Sequence, residues 1–168
     1  LTQDINGLEC AVAMKNAYAL GVALAIGLNE KKNGEGCTER YNPQAALFEQ
    51  ATREAMKLMQ FMHADMETLA FFAGDLYVTV FGGRTRRIGI LLGRGNTYPQ
   101  AREILSGVTL ESVAVATLVA NALRTLEQRG LMNTADFPLL MHIDSILNKQ
   151  HSAEVPWLKF EQQCLSVE

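Results

Sequence analysis

The stretch AVAMKNAYALGVALAIG, residues 11–27, decides the fold, because it is apolar on every side apart from Lys15 and Asn16. A helix that is apolar all round is buried by neighbours on several sides. We expect this helix over residues 8–28, entered through Asp4 and Asn6, whose side chains can cap free backbone N–H groups. The sequence therefore predicts an all-α, multi-helix domain built around a buried long first helix.

The remainder of the chain also favours helices, because its apolar residues mostly recur at spacings of three and four. Further helices are predicted over residues 44–63, 67–72, 98–105, 110–129 and 136–147, and the pattern of 110–129 is also compatible with a break inside. Residues 30–43, rich in charge, glycine and proline, are predicted to form an exposed loop. Residues 73–95 are irregular because of their glycines, and DLYVTVF at 75–81 is predicted to be helical, although its β-branched and aromatic residues would also suit a strand.

The predicted helix over residues 44–63 should bury one apolar face. That face comprises Ala46, Leu47, Ala51, Ala55, Leu58 and Met62. We interpret the methionines at positions 56, 59, 62 and 66 as core-filling side chains rather than ligands, because the thioether packs adaptably. His63 and His142 lie on apolar patterns and are interpreted as ordinary histidines with hydrogen-bond partners.

Composition narrows the classes of function. The formal net charge of −3 argues against a nucleic-acid partner. The three cysteines, at positions 10, 37 and 164, show no metal-ligand spacing, which predicts no metal site and suits a reducing cytoplasm. No signal peptide is recognisable, and the uncharged run over residues 16–29 is shorter than the roughly 20 apolar residues of a membrane span.

Lys15 is the first candidate for chemistry, because its helix has no wet face near it. Burial disfavours the ammonium, so such a lysine either transfers protons or is paired with a carboxylate. Asp75 is the candidate partner, and Thr79 falls one turn later on the same face if that segment is helical. An aspartate that caps a helix N-terminus is the alternative for Asp75.

The segment GGRTRR, residues 82–87, is a candidate anion site. Its glycines allow close backbone approach, and arginine matches the geometry of phosphate oxygens. A solvated, charged start of a helix is the alternative. GRG at residues 93–95 lacks the strand and the glycine spacing of a dinucleotide fingerprint, so the sequence predicts no cofactor-binding domain of its own.

Three motifs, in order along residues 4–148, resemble one family. DINGLECAVAMKN at 4–16 is similar to D-x-x-G-x-E-x-x-x-A-x-K-N, and the glycine-rich segment at 73–95 is similar to G-D-L-x-x-T followed by G-R-N-R-[RK]-x-G and L-G-x-G. FPLLMHIDSIL at 137–147 resembles a late helix that begins F-P-L or M-P-I. The chain resembles the C-terminal, substrate-binding domain of NAD(P)-dependent glycerol-3-phosphate dehydrogenases, a fold of the 6-phosphogluconate dehydrogenase C-terminal-like type.

The resemblance implies reversible hydride transfer between a nicotinamide cofactor and dihydroxyacetone phosphate, which gives sn-glycerol 3-phosphate. By carry-over Lys15 is the general acid or base, with Asp75 and Thr79 around it. Asn16, Arg84 and Thr85 fall at substrate-binding positions. Cofactor contacts are implied for Arg84 and for Glu111.

The same resemblance implies a partner domain. In this family a Rossmann domain binds most of the NAD or NADP, and residues 1–3 are expected to be its tail. Residues 1–168 would then form the C-terminal substrate-binding domain, which we expect to be inactive alone. A homodimer and a cytoplasmic location are further expectations from the family.

Three positions depart from the family pattern. Thr85 stands where the family has asparagine, Gln44 where it has lysine, and Asp144 where a tyrosine is common. Two alternatives therefore stay open. One is a related hydroxyacid dehydrogenase domain, although such domains commonly place the lysine and asparagine one turn apart. The other is a non-catalytic helical module for dimerisation or anion binding.

Overall fold

The long first helix lies at the centre of the protein in a computed structural model that describes residues 2–106, 111–149 and 151–160. Across these ranges all regular secondary structure is helical. The elements are α1 (Ile5–Asn33), α2 (Tyr41–Phe61), α3 (Thr68–Phe81), α4 (Gly83–Gly93), α5 (Tyr98–Ile104), α6 (Glu111–Gln128), a 3-10 turn (Thr134–Asp136) and α7 (Pro138–Lys149). The predicted all-α class is confirmed.

Helix α1 is buried on every side over residues 17–27, as its composition predicts. Asp4 caps the helix, because its carboxylate accepts a hydrogen bond of 2.8 Å from the Gly7 backbone N–H. Asn6 lies inside the helix and is exposed, so the prediction that it caps α1 is wrong. Helices α2, α3, α4, α6 and α7 all contact α1, which makes it the core of the domain.

Glycines bring α1 and α4 into backbone contact. A Cβ atom built on Gly93 would lie 2.5 Å from the Leu24 carbonyl oxygen and 2.8 Å from Gly27 Cα. A Cβ atom on Gly89 would lie 2.5 Å from the carbonyl oxygen of Leu20. Any larger residue at these positions would force the two helices apart, so glycine fixes the distance between α1 and α4.

The predicted loop over residues 30–43 is too long. Helix α1 continues to Asn33 and α2 begins at Tyr41, which leaves residues 34–40 as the connection. The glutamate and lysines at 30–32 are good helix formers, and Gly34, with φ of 95°, ends the helix. Glu30 stays on the helix and accepts a hydrogen bond of 2.8 Å from Arg94.

Several other predicted bounds are corrected. The segment DLYVTVF is helical, as predicted, but it belongs to α3, which runs on to Phe81 instead of ending near residue 72. Helix α6 has no internal break, because its residues include neither glycine nor proline. Two positions that bear on these predictions, Leu110 and Cys164, lie outside the described residues, as does Leu1. Cys10 and Cys37 are half-buried and form no disulfide.

The predicted buried face of α2 is partly wrong. Leu47, Ala51, Ala55, Leu58 and Met59 are buried. Ala46 is exposed because it lies on the solvent side of α2, and Met62 and Met66 are exposed because α2 ends at residue 61 and the chain then turns away from the core. His63 is exposed outside α2, with φ of 54°. His142 is half-buried in α7, and its Nε2 atom lies 3.5 Å from the Ala153 carbonyl oxygen.

Glu54, in the middle of α2, is wholly buried and joins three helices. Its carboxylate accepts hydrogen bonds from the Tyr18 hydroxyl at 3.0 Å, the Gln50 amide at 2.8 Å, and the backbone N–H groups of Leu139 at 2.7 Å and Leu140 at 3.0 Å. Burial raises the pKa of Glu54 to about 7, against the opposing effect of these hydrogen bonds. The start of α7 is therefore held against α1 and α2 by one carboxyl group.

The sequence predicts that the uncharged run over residues 16–29 is too short to cross a membrane. The whole of α1, however, is long and apolar enough to do so by length and composition. The most apolar part of α1 is 72% buried within the protein itself. A core helix meets the same criteria of length and composition, and the packing of five helices around α1 is typical of a core helix.

Candidate functional site

Lys15 and Asp75 form an ion pair between α1 and α3. The Lys15 Nζ atom lies 2.5 Å from Asp75 Oδ2, and the side chains are 18% and 37% exposed. One turn away, Tyr18 and Phe72 meet edge to face with 5.9 Å between ring centroids. This aromatic contact sets the register of α1 against α3, and the register places the carboxylate on the ammonium. Asp75 lies inside α3, so the alternative that it caps a helix is wrong.

Thr79 follows Asp75 by one helical turn on α3. Its hydroxyl donates a hydrogen bond of 2.7 Å to the Asp75 backbone carbonyl. The hydroxyl proton is therefore committed to the helix backbone, while the oxygen can still accept a hydrogen bond. This geometry suits a positioning role for Thr79 better than a proton-transfer role.

A cavity of about 280 Å³ is lined by residues that are close in sequence to Lys15 and to Asp75. It is lined by Asn16, Thr79, Gly82, Gly83, Arg84, Thr85, Glu111 and Ser112. The structure thus brings together every predicted substrate and cofactor residue, from the middle of α1, the end of α3, and the starts of α4 and α6. Lys15 and Asp75 themselves are not among the lining residues, although Asn16 directly follows Lys15.

The turn between α3 and α4 presents Arg84 to this cavity. Gly83 has φ of 81°, a conformation that glycine adopts far more readily than other residues, and it redirects the chain immediately before Arg84. Arg84 is exposed, and no hydrogen bond or ion pair joins it to another described residue. Its guanidinium is therefore available to an anion.

The other arginines of GGRTRR do not line the cavity. Arg86 donates hydrogen bonds to the Val80 carbonyl at 2.9 Å and to Glu39 at 2.8 Å, which secures the end of α3 and the loop before α2. Arg87 is exposed. The predicted anion segment thus contributes one arginine to the cavity, and Arg86 has a structural role.

Two departures from the family pattern have structural roles here. The Gln44 amide donates to Glu39 at 3.2 Å and to the Arg40 carbonyl at 3.1 Å, so it supports the start of α2. The Asp144 carboxylate, 2% exposed, accepts hydrogen bonds from Arg124 and from Asn148, and thereby joins α6 to α7. Neither residue lines the cavity, whereas Thr85 does.

Ser112 is the residue that sequence reasoning missed. It is 2% exposed and lines the cavity, and its hydroxyl has no hydrogen-bond partner among the described residues. No motif in the sequence marks it, because a serine near the start of a helix is common and its burial depends on how α6 packs.

No group of three or more histidine, cysteine, aspartate or glutamate side chains is placed to hold a metal ion within residues 2–106, 111–149 and 151–160. A larger open cavity, of about 950 Å³, lies along α7 near His142 and His151. Burial lowers the pKa of His142, although the Ala153 carbonyl opposes this shift. None of the residues predicted to carry function lines this second cavity.

The fold and the site together define an all-helical domain, in which a lysine and carboxylate pair adjoins a cavity that contains one arginine. Comparison with known families gives a more specific assignment, because residues 4–156 match the family described as NAD-dependent glycerol-3-phosphate dehydrogenase C-terminus. The chain belongs to this family, and the resemblance inferred from its motifs is confirmed.

Individual relatives agree with the family. An NADP(+)-dependent glycerol-3-phosphate dehydrogenase of Archaeoglobus fulgidus is 34% identical over 107 residues, which cover 62% of this chain and 31% of the relative. A glycerol-3-phosphate dehydrogenase [NAD(P)+] of Stenotrophomonas maltophilia is 32% identical over 156 residues, which cover 90% of this chain and 40% of the relative. The chain therefore spans less than half the length of these relatives.

Solved structures of the same description share the fold. The glycerol-3-phosphate dehydrogenase of Coxiella burnetii aligns with a TM-score of 0.71 at 25% identity, over 98% of this chain and 46% of that one. The enzyme of Saccharomyces cerevisiae aligns with a TM-score of 0.73 at 24% identity, over 93% of this chain and 42% of that one. The helical arrangement around α1 is thus that of the domain in these structures.

Proposed function

We propose that this chain is the substrate-binding half of an enzyme that interconverts dihydroxyacetone phosphate and sn-glycerol 3-phosphate with NAD(P)H. The proposal rests on the ion pair of Lys15 and Asp75. The residue after Lys15, Asn16, lines a cavity together with Arg84 and Thr85. These residues occupy the motif positions of the family, and the motifs are brought together from α1, α3 and α4.

Lys15 is the proton donor in this proposal. Reduction of a ketone builds negative charge on its oxygen, and the ammonium of Lys15 transfers a proton to that oxygen as the charge develops. Asp75 fixes the position of the Lys15 Nζ atom through their ion pair. Thr79 holds α3 in shape beside the pair, through its bond to the Asp75 carbonyl.

Asn16, Arg84 and Thr85 bind the substrate phosphate. The guanidinium of Arg84 has no partner among the described residues, and arginine offers paired N–H groups that match phosphate oxygens. The Asn16 amide and the Thr85 hydroxyl supply neutral donors around the same cavity. The phosphate is thereby held next to the helix turn that carries Lys15.

The residues that would face a nicotinamide cofactor fit that role. Glu111 is exposed at the start of α6 and Arg84 lies across the same cavity, so a carboxylate and a guanidinium are both open to a ligand. The bound nicotinamide supplies the hydride. NAD or NADP is held mainly by a Rossmann domain, which accords with the greater length of the relatives. A cytoplasmic homodimer of two-domain chains completes the proposal.

The decisive experiment replaces Lys15 in the two-domain protein, in which this chain follows the nucleotide-binding domain. Lys15→Met is expected to lower kcat for dihydroxyacetone phosphate by about 10²- to 10⁴-fold, the usual contribution of a positioned general acid. Hydride transfer is measured by the absorbance of NADH or NADPH. The matched control is Lys57→Met, which removes a lysine whose Nζ atom lies 2.7 Å from Asp136, away from the cavity.

Equal rates for wild type and a folded Lys15→Met variant would remove Lys15 from the mechanism. A wild-type two-domain protein that reduces no dihydroxyacetone phosphate would instead favour the non-catalytic module. Activity of the 168-residue chain alone would contradict the expectation that the Rossmann domain is required.

A further inference from the structure

The Ser112 hydroxyl is a buried polar group without a hydrogen-bond partner. Its Oγ atom contacts no donor or acceptor among the described residues, and the residue is 2% exposed. Buried hydroxyl groups are paired in the great majority of proteins, because an unpaired one has lost its bonds to water. In this case the residue lines the cavity that holds Arg84 and Thr85, so a ligand in the cavity could supply the missing partner.

Ser112 and Glu111 are neighbours in sequence, but they differ in exposure. Successive side chains on an α-helix point about 100° apart. Glu111 is exposed and Ser112 is buried, so α6 offers a carboxylate toward solvent, while the Ser112 hydroxyl lies within the wall of the cavity. An anion bound by Arg84 reaches the Ser112 hydroxyl only by entering this wall of the cavity, whereas Glu111 remains available to a different part of the ligands.

Ser112 can supply a hydrogen-bond donor in addition to the shorter side chain of Thr85. The family pattern has asparagine at position 85, whose amide N–H donors stand one bond farther from the backbone than the threonine hydroxyl. A phosphoryl group bound by Arg84 would therefore meet the Thr85 hydroxyl on α4, which extends less far from the backbone than an asparagine amide. Ser112 contributes a donor from α6, a separate wall of the same cavity of about 280 Å³.

We infer that the Ser112 hydroxyl donates a hydrogen bond to the phosphoryl group of the substrate and compensates for threonine at position 85. The inference rests on the proposed function for the identity of the substrate, but its basis is the unpaired Oγ atom and the lining of the cavity. It makes Ser112 a further binding residue, and it makes positions 85 and 112 a coupled pair that tunes affinity for the phosphate.

Binding to the 168-residue chain tests this directly. Inorganic phosphate and glycerol 3-phosphate are titrated into wild type and Ser112→Ala by calorimetry, after circular dichroism has shown that both are folded. A hydrogen bond to a charged group is worth enough for Ser112→Ala to weaken both ligands by about 10-fold. The matched control is Ser145→Ala on α7, whose hydroxyl donates to the His142 carbonyl at 2.7 Å, away from this cavity.

The thermal stability of the unliganded protein is a second readout, and it should not fall together with ligand affinity. Ser112→Ala removes a buried group that lacks a partner, so the thermal midpoint without ligand should stay the same or rise, while affinity falls. Adding Thr85→Asn to Ser112→Ala should restore part of the lost affinity. In the two-domain protein, Ser112→Ala should raise KM for dihydroxyacetone phosphate about 10-fold and leave KM for the nicotinamide cofactor unchanged.

Three results would overturn the inference. They are a wild-type chain that binds neither phosphate ligand, a Ser112→Ala variant that binds both as tightly as wild type, and a Thr85→Asn addition that restores no affinity. Because inorganic phosphate binding requires no turnover, the first two results separate this inference from the proposed enzymatic reaction, which is judged by Lys15→Met.

Discussion

Replacement of Gly93 by alanine tests the backbone contact between α1 and α4. The new Cβ atom would lie 2.5 Å from the Leu24 carbonyl oxygen, 2.8 Å from Gly27 Cα and 2.9 Å from the Leu28 backbone nitrogen. All three atoms belong to the backbone of the helix at the centre of the domain, so no side-chain rotation relieves the clash. The two helices must separate by several tenths of an ångström.

The expected cost follows from two opposing effects. Overpacking a core typically destabilises a protein by about 1–3 kcal/mol, and a clash with backbone belongs at the upper end of that range. Alanine regains up to about 1 kcal/mol of helix propensity relative to glycine. The net loss of unfolding free energy should be about 2 kcal/mol, which corresponds to a fall in Tm of about 4–8 °C for a domain of this size.

The assay is urea unfolding followed by far-ultraviolet circular dichroism. Gly74→Ala on α3 is the matched control, because no atom lies within 4 Å of the Cβ position there and φ is not in the left-handed region. That variant should gain about 0.4–1 kcal/mol. If Gly93→Ala is as stable as wild type, α1 and α4 do not pack through their glycines and the account of the core is refuted.

Two further predictions concern buried carboxyl groups. Burial raises the pKa of Glu54 from 4.5 to about 7, so the folded protein binds this proton more tightly and the contribution of Glu54 to stability should fall by about 3 kcal/mol as pH rises from 4.5 to 7. Urea unfolding across this range should show that contribution as the difference in pH dependence between wild type and Glu54→Gln. Arg124→Ala leaves the buried Asp144 carboxylate without its cation, and it should destabilise the fold by about 2 kcal/mol, less than for a fully buried pair because Arg124 is 33% exposed. A matched Arg129→Ala variant, which removes an exposed arginine beyond the end of α6, should change stability by less than about 0.5 kcal/mol.

The first helix could be predicted from the sequence because its apolar composition is compatible only with a buried position. A segment of alanine, glycine and branched apolar residues with no polar face must be surrounded, and α1 is. The ends were less predictable. Residues 30–33 are polar, yet they extend α1, because the stop is set by the backbone conformation at Gly34 rather than by hydrophobicity.

The segment DLYVTVF shows how tertiary packing overrides local preference. Its aromatic and β-branched residues suit a strand, but it forms the second half of α3. Leu76 and Val80 are buried four residues apart, which is the spacing of a helix face packed on the core. Tyr77, Val78 and Phe81 are exposed, so the apolar content that suggested a strand lies mostly on the other side of this helix.

The site could be anticipated because motif residues were carried over position by position. The distance from Lys15 to Asp75, and the gathering of Asn16, Arg84 and Glu111 around one cavity, are products of tertiary packing that no local pattern contains. Ser112 could not be predicted in this way. Its importance depends on burial and on the absence of a partner, and these properties exist only once α6 is packed.

The two sides of the site differ in how firmly they are held, and this difference suits the proposed chemistry. Lys15 projects from the helix at the centre of the domain, and its ammonium is already paired with Asp75, so the proton donor needs little reorganisation before reaction. Arg84 follows the turn at Gly83 and is exposed, so binding an anion must order a side chain that carries about 2 kcal/mol of conformational entropy. Phosphate affinity is therefore partly offset by ordering Arg84, while the orientation of Lys15 is set by folding and is present before the substrate arrives.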